Sequence, residues 1–338
     1  MAKKRQYAMI DIAKYVSALL VVAIHTFPFY EISETLNTYF IQTICRIAVP
    51  FFFTTSGFFF FRKWSEDKEV NKESVKKYLL RLLKIYLIWS VIYLPYTIYD
   101  YTRDGFQIMN IVSYVRDFLL NGSYYHLWFL PALMTATVIV SFLYSKKGLM
   151  TTLKVCLILY IFGYFINVYA LVWEQIPVIS FFYEFFTKVF TTSRNGFFFG
   201  PLFVCMGLLL ARTKRLDKKL NQIGFLISFI LLVLEVTIYR ATGILRDLTS
   251  MYISLIPAVY FFVNWMLTIK IPYKESYKAM RNESLLIYTS HILFAKVLLI
   301  LFPEAHLVVY FVTLALAQGF ASLVIHYKEK YPILENLV

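Results

Sequence analysis

The chain has 338 residues, of which 59% are apolar and only 16% are Asp, Glu, Lys or Arg, against about 25% charged residues in a soluble protein. With 33 Phe, 27 Tyr and 5 Trp and a mean hydropathy of +0.63, the composition excludes a disordered chain and an ordinary cytosolic fold. The net charge of +14 raises nucleic acid as a partner. The basic residues, however, are spread over six segments and form no single stripe with stacking aromatics, so no nucleic-acid partner is expected.

Ten mainly apolar runs follow one another along the chain, at 8–28, 40–61, 78–99, 126–145, 152–173, 196–212, 221–240, 250–269, 283–302 and 306–327. Each approaches the ~20 residues that a spanning helix needs. The expected fold is therefore all-α, a polytopic bundle of about ten membrane-spanning helices forming a single domain over 1–338, with membrane lipid around it. With the N-terminus inside, 25 Lys and Arg fall on cytoplasmic segments and 6 outside, which places both termini in the cytoplasm. Lys3-Lys4-Arg5 precedes the first run with no small-x-small cleavage site after His25, so that run is expected to stay attached as the first helix. Residues 62–84 form a basic cytoplasmic loop. The amphipathic stretch 102–121 is expected to lie on the outer surface, and no internal repeat is evident. Cys45, Cys156 and Cys205 are widely spaced in apolar runs, which reads as three buried thiols and no metal site.

Ionisable side chains within spans cost several kcal/mol unless paired or hydrated, so each marks a candidate site. Asp11, Lys14, Ala18, Val21 and His25 recur at spacings of 3 and 4 and share one face of the first helix. That face either lines a path into the bundle, or Asp11 and Lys14 snorkel to the surface and His25 is a packing histidine. Arg46 opens the second span just ahead of Pro50, and Arg81 and Lys84, one turn apart after Arg62 and Lys63, make a plausible clamp for a phosphorylated ligand. Further along come His126 and Trp128, Arg194, Glu235 flanked by Leu234 and Val236, and the stripe Ser284, Tyr288 and His291. An interfacial aromatic belt accounts for Trp128 and Tyr288 equally well. Glu235 needs a proton or a cationic partner. There is no Ser-His-Asp series and no Gly-rich phosphate loop, so soluble-enzyme templates do not apply.

These residues resemble the membrane acyltransferase type 3 family over nearly the whole chain. The first helix, from Ile10-Asp11 through Lys14 to Ile24-His25, is similar to the family's opening Asp, basic residue and distal His. Arg46-x-x-Val49-Pro50-Phe51-Phe52-Phe53-x-x-Ser56-Gly57 resembles its second-helix signature, and Arg81-Leu82-Leu83-Lys84 its cytoplasmic basic pair. Phe199 to Gly207 followed by Arg212, and Ser284-x-x-x-Tyr288-x-x-His291, match later patterns. Lys14 and Lys84 stand where the family has arginine. Within the family, Ala23-Ile24-His25-Thr26, Tyr125-His126-Leu127-Trp128, Arg194-Asn195-Gly196 and Ser250-Met251-Tyr252 look most like the membrane domain of the vancomycin-resistance serine racemases. On that likeness the chain is expected either to stand alone or to be the membrane portion of a longer racemase.

The resemblance implies an acyltransferase of the bacterial cell membrane. An acyl-CoA, commonly acetyl-CoA, would approach from the cytoplasm and serve a hydroxyl or amine acceptor on an extracytoplasmic cell-envelope glycan or small molecule. In that scheme His25 is the general base, with Asp11 and Arg46 completing the catalytic set, Arg46 at the oxyanion and Asp11 at the inner mouth. Lys14, Arg62, Lys63, Arg81 and Lys84 hold the donor. His126, Trp128, Arg194, Glu235, Tyr288 and His291 face the acceptor, His291 as a second acid–base group. The rival expectation is passage of L-serine or another amino acid, with Arg46 or Arg194 on the carboxylate and Glu235 or Asp11 on the ammonium group.

Overall fold

The structure, a computed structural model, describes residues 7–244 and 249–337. The basic residues Lys3, Lys4, Arg5 and Arg246 used in the charge count therefore lie outside the described residues. The described chain is helical throughout: α1 (Ala8–Thr26), α2 (Glu34–Tyr39), a π turn (Phe40–Ile44) and a 3-10 turn (Cys45–Ile47) leading into α3 (Ala48–Phe61), then α4 (Lys68–Arg103), α5 (Ile108–Leu120) and α6 (Phe129–Val168). It continues with α7 (Ala170–Gln175), α8 (Pro177–Phe190), α9 (Gly200–Arg212), α10 (Lys218–Ala241), α11 (Leu255–Thr268), α12 (Glu275–Leu301), α13 (His306–Tyr327) and a closing 3-10 turn (Pro332–Leu337).

Among the described residues, seven helices are long and apolar enough to cross a membrane, where ten runs were expected. The difference lies in boundaries. α6 takes up two of the runs, and the break between them sits at Gly148, whose φ of 73° and ψ of 177° only glycine adopts at low cost. α9 and α11 are apolar but short. α11 starts only at Leu255 because the residues before it are held in a non-helical course by side chains described below. All three cysteines are buried free thiols, as expected.

The chain divides into two compact units. The first comprises Met1–Thr55, Thr213–Thr237 and Ser254–Val338. In it α1 packs along α12 and α13, while α11 and the 3-10 turn lean on α1. The contact face of α1 is made of small and branched residues, Ala13, Ala18, Val21 and Val22, all buried, which let helix backbones approach closely where no water drives them together. α1 and α12 run in the same direction, since Asp11 meets Arg281 toward one end and His25 meets His291 toward the other. α13 runs against them: the Tyr15 hydroxyl donates to Gln318 Oε1 at 2.7 Å, and His306, at the start of α13, lies against the Thr26 carbonyl at 2.8 Å.

The second unit comprises Ser56–Arg212 and Ile238–Ile253. α9 packs along α6, and the end of α3 lies so close to α9 that Gly57 sits directly on the Val204 backbone. Within this unit a similar order of elements occurs twice. An amphipathic helix with no buried residue (α5), an irregular stretch (121–128) and a core helix (α6) are followed by the same succession: α8, residues 191–199, and α9. Ser123 pairs with Ser193 and Pro131 with Pro201, at the same distance along the chain. The two breaks meet: Arg116 donates to the Lys188 carbonyl at 3.0 Å, Asn121 to Thr191 Oγ1 at 3.1 Å, and Thr191 to Asp117 at 3.3 Å. The stretch expected over 102–121 is α5, which leaves Ile108, Met109, Ile111 and Val112 exposed.

Candidate functional sites

In the first unit the α1 stripe turns inward. Asp11, Ala18 and Val21 are buried, and Lys14 and His25 are half-buried. The His25 ring lies 5.3 Å from that of His291, tilted by 35°. His291 is fully buried, and its Nδ1 is 2.8 Å from the Tyr288 carbonyl and 3.1 Å from that of Ile287. A carbonyl only accepts, so Nδ1 carries the proton and the lone pair of the neutral ring is on Nε2. The pair thus joins a half-buried imidazole to a buried one whose tautomer is set by its own helix. Tyr288 and Ser284 are buried on the same stripe of α12.

Arg46 is 8% exposed and donates through Nε to Gln42 Oε1 at 2.7 Å. It stands on the 3-10 turn that follows the π turn, an irregularity of the kind often found at functional sites. Gln42 stands four residues before Arg46, the spacing at which helical side chains meet. Glu235 Oε2 accepts from the Ser254 amide at 2.9 Å, at the start of α11, where the helix dipole favours a negative group. Asp11 lies about 21 Å along α1 from His25 at 1.5 Å per residue. It accepts from the Tyr273 hydroxyl at 3.1 Å and is 3.9 Å from Arg281 Nη1, two partners that sequence spacing could not point to.

In the second unit Arg81 and Lys84 are exposed on α4, Lys63 is exposed, and Arg62 lies over the rings of Phe58 and Phe59 at 5.9 Å. Arg212 fixes the course of the chain leaving α3, donating to the carbonyls of Phe61 at 3.1 Å and Trp64 at 2.9 Å. At the paired breaks the Arg194 guanidinium stacks 4.9 Å over Trp128, and Trp128 meets Phe199 at 5.8 Å. The buried His126 ring is 4.6 Å from Tyr93, which stacks on Tyr124 at 5.0 Å. Tyr124 donates to Asp100 at 3.1 Å; burial and that carboxylate push its phenol well above the ordinary tyrosine range, so it stays a donor. The Ser250-Met251-Tyr252 segment is positioned by two polar side chains that the sequence reading had not singled out. Asn167 accepts from the Ser250 and Met251 amides at 3.1 and 3.3 Å, and the Tyr160 hydroxyl meets both the carbonyl and the amide of Tyr252, at 2.9 and 3.2 Å. Among the described residues, no three His, Cys, Asp or Glu side chains gather as metal ligands would.

Apolar helices that enclose paired imidazoles, a buried guanidinium and carboxylates with defined partners mark an integral membrane protein. The chain belongs to the acyltransferase 3 family, whose model, described as an acyltransferase domain, matches residues 7–326. Its curated relatives include two proteins of Enterococcus faecalis named amino-acid racemase, one 31% identical over 79% of this chain and 37% of its own length, the other 32% identical over 83% and 40%. A serine/alanine racemase of Enterococcus gallinarum is 29% identical over 95% of this chain and 46% of its own. The chain thus spans less than half the length of each of these relatives. No solved structure matches it.

Proposed function

We propose that this protein moves an acyl group, acetyl in the simplest case, from a cytoplasmic acyl-CoA to a hydroxyl or amine of an extracytoplasmic acceptor such as a cell-envelope glycan. It would do so in a bacterial plasma membrane that its chain crosses ten times with both termini inside. The observation that carries the reading is the His25–His291 pair, 5.3 Å apart within a chain of an acyltransferase family. An imidazole is the side chain whose ordinary pKa suits general-base catalysis near neutrality. His25, the half-buried member, takes the acceptor proton. His291, with its Nδ1 proton held by its own helix, serves as the second acid–base group, and Arg46 faces the oxyanion. Tyr288, Glu235, His126, Trp128 and Arg194 are assigned to the acceptor. Arg62, Lys63, Arg81 and Lys84 are assigned to the donor's phosphates. Asp11, far along α1 from His25, acts by positioning.

The test is transfer of label from acetyl-CoA in membrane vesicles. His25→Ala should abolish turnover while leaving the protein folded and inserted; full activity in that variant removes His25 from the mechanism. A second reading, passage of serine or another amino acid, is favoured by the paired helix breaks of the second unit, since interrupted helices commonly build transporter sites. The names of the racemase relatives agree with it. Labelled serine uptake by the same vesicles separates the two readings: uptake without acetyl turnover would replace the first by the second.

A further inference from the structure

The acyltransferase reading, on which this inference rests, draws its phosphate-binding residues from the basic loop of the second unit, yet the first unit carries a built basic site of its own. Asp11 is 3% exposed and is held by the Tyr273 hydroxyl at 3.1 Å. One nitrogen of Arg281 reaches the same carboxylate at 3.9 Å, while the Arg281 side chain stays 42% exposed. Lys14, one turn along α1, adds a second cation within electrostatic reach of Asp11. Two cations around one carboxylate leave a net positive charge, and the buried carboxylate restricts where the guanidinium can point. A long contact through one nitrogen leaves the planar fork of Arg281 the capacity to engage an anion, and phosphate is the anion that such a fork fits best.

The two helices that carry this cluster also carry the histidine pair, and they run in the same direction. From Asp11 to His25 is about 21 Å along α1, and from Arg281 to His291 about 15 Å along α12. That separation is of the order an extended pantetheine arm covers between its phosphates and its thiol. We infer that Arg281, oriented by Asp11 and Tyr273 and assisted by Lys14, contacts a phosphate of the coenzyme A donor, with the pantetheine arm running along α1 and α12 to the histidine pair. Tyr273 and Asp11 are positioning residues in this scheme; Arg281 touches the ligand.

The experiment measures binding of coenzyme A and of pantetheine, which lacks the phosphates, to purified wild-type protein and to Arg281→Gln. A charge-assisted phosphate contact predicts that the variant weakens coenzyme A binding roughly ten- to hundredfold and leaves pantetheine binding unchanged. Tyr273→Phe should produce the same selective loss in milder form. Equal losses for both ligands assign Arg281 to folding and overturn the proposal, as does no change for either, or a wild-type protein that does not bind coenzyme A. The measurement is repeated in micelles containing phosphatidylglycerol. If that lipid removes the advantage of coenzyme A over pantetheine, the cluster is a lipid-headgroup site and the proposal fails. A protein that binds coenzyme A through Arg281 but transfers no acyl group fails the acyltransferase reading and keeps this one.

Discussion

Tyr160→Phe removes one oxygen from a fully buried side chain, and the structure says what that oxygen does. It donates to the carbonyl of Tyr252 at 2.9 Å and accepts from the amide of the same residue at 3.2 Å, and both residues are 0% exposed. Interhelical side-chain hydrogen bonds in membrane proteins average only about 0.6 kcal/mol, because the groups find other partners when one is removed. The present case differs, since the partner groups are the backbone amide and carbonyl of Tyr252, in the non-helical stretch that precedes α11. Leaving a buried amide or carbonyl poorly satisfied costs about 1–3 kcal/mol each, so losing both bonds should destabilise the protein by about 2–6 kcal/mol. Tyr164→Phe is the internal control: its hydroxyl meets the Tyr239 hydroxyl, a side-chain pair, and its loss should cost under about 1 kcal/mol. Unfolding followed by tryptophan fluorescence during SDS titration of the protein in mild detergent gives both values. A Tyr160→Phe effect below about 0.5 kcal/mol, or no larger than that of Tyr164→Phe, would refute the reasoning that backbone satisfaction sets the cost.

Three further outcomes follow from packing and charge. In Gly57→Ala the added methyl would fall on the Val204 backbone, with Cα at 3.0 Å and the carbonyl carbon at 3.1 Å, so two helix backbones must part. The same titration should show a loss of about 1–3 kcal/mol. Arg212→Gln gives up the hydrogen bonds to the Phe61 and Trp64 carbonyls and should make the chain after α3 measurably more sensitive to protease, with unchanged cleavage counting against that role. Arg194→Lys keeps the charge but loses the planar stack over Trp128. In a transfer assay with the natural acceptor the acceptor KM should rise roughly fivefold with kcat unchanged, while a fall in kcat alone would place Arg194 in the chemistry instead.

Periodicity made the helices legible, because an apolar run has one reading in a membrane, and the α1 stripe was legible because Asp11, Ala18 and Val21 must share a side at helical spacing and are buried together. The partners of those residues were not. Tyr273 and Arg281 meet Asp11 from more than 260 positions away, and nothing local announces such a contact. Gln42, by contrast, lies at the i,i+4 spacing from Arg46 and was within reach of helical periodicity. The Ser254 amide that serves Glu235 at the start of α11 was not legible either, because backbone amides are invisible in a sequence.

The central claim is that His25 and His291 act as one unit on one proton. The direct test measures acetyl transfer by His25→Ala, His291→Ala and the double variant in the same vesicles. Residues that share a step are strongly non-additive, so the account expects each single change to remove nearly all activity and the double change to remove no more. Single losses that multiply in the double variant, or substantial turnover in either single one, would contradict it.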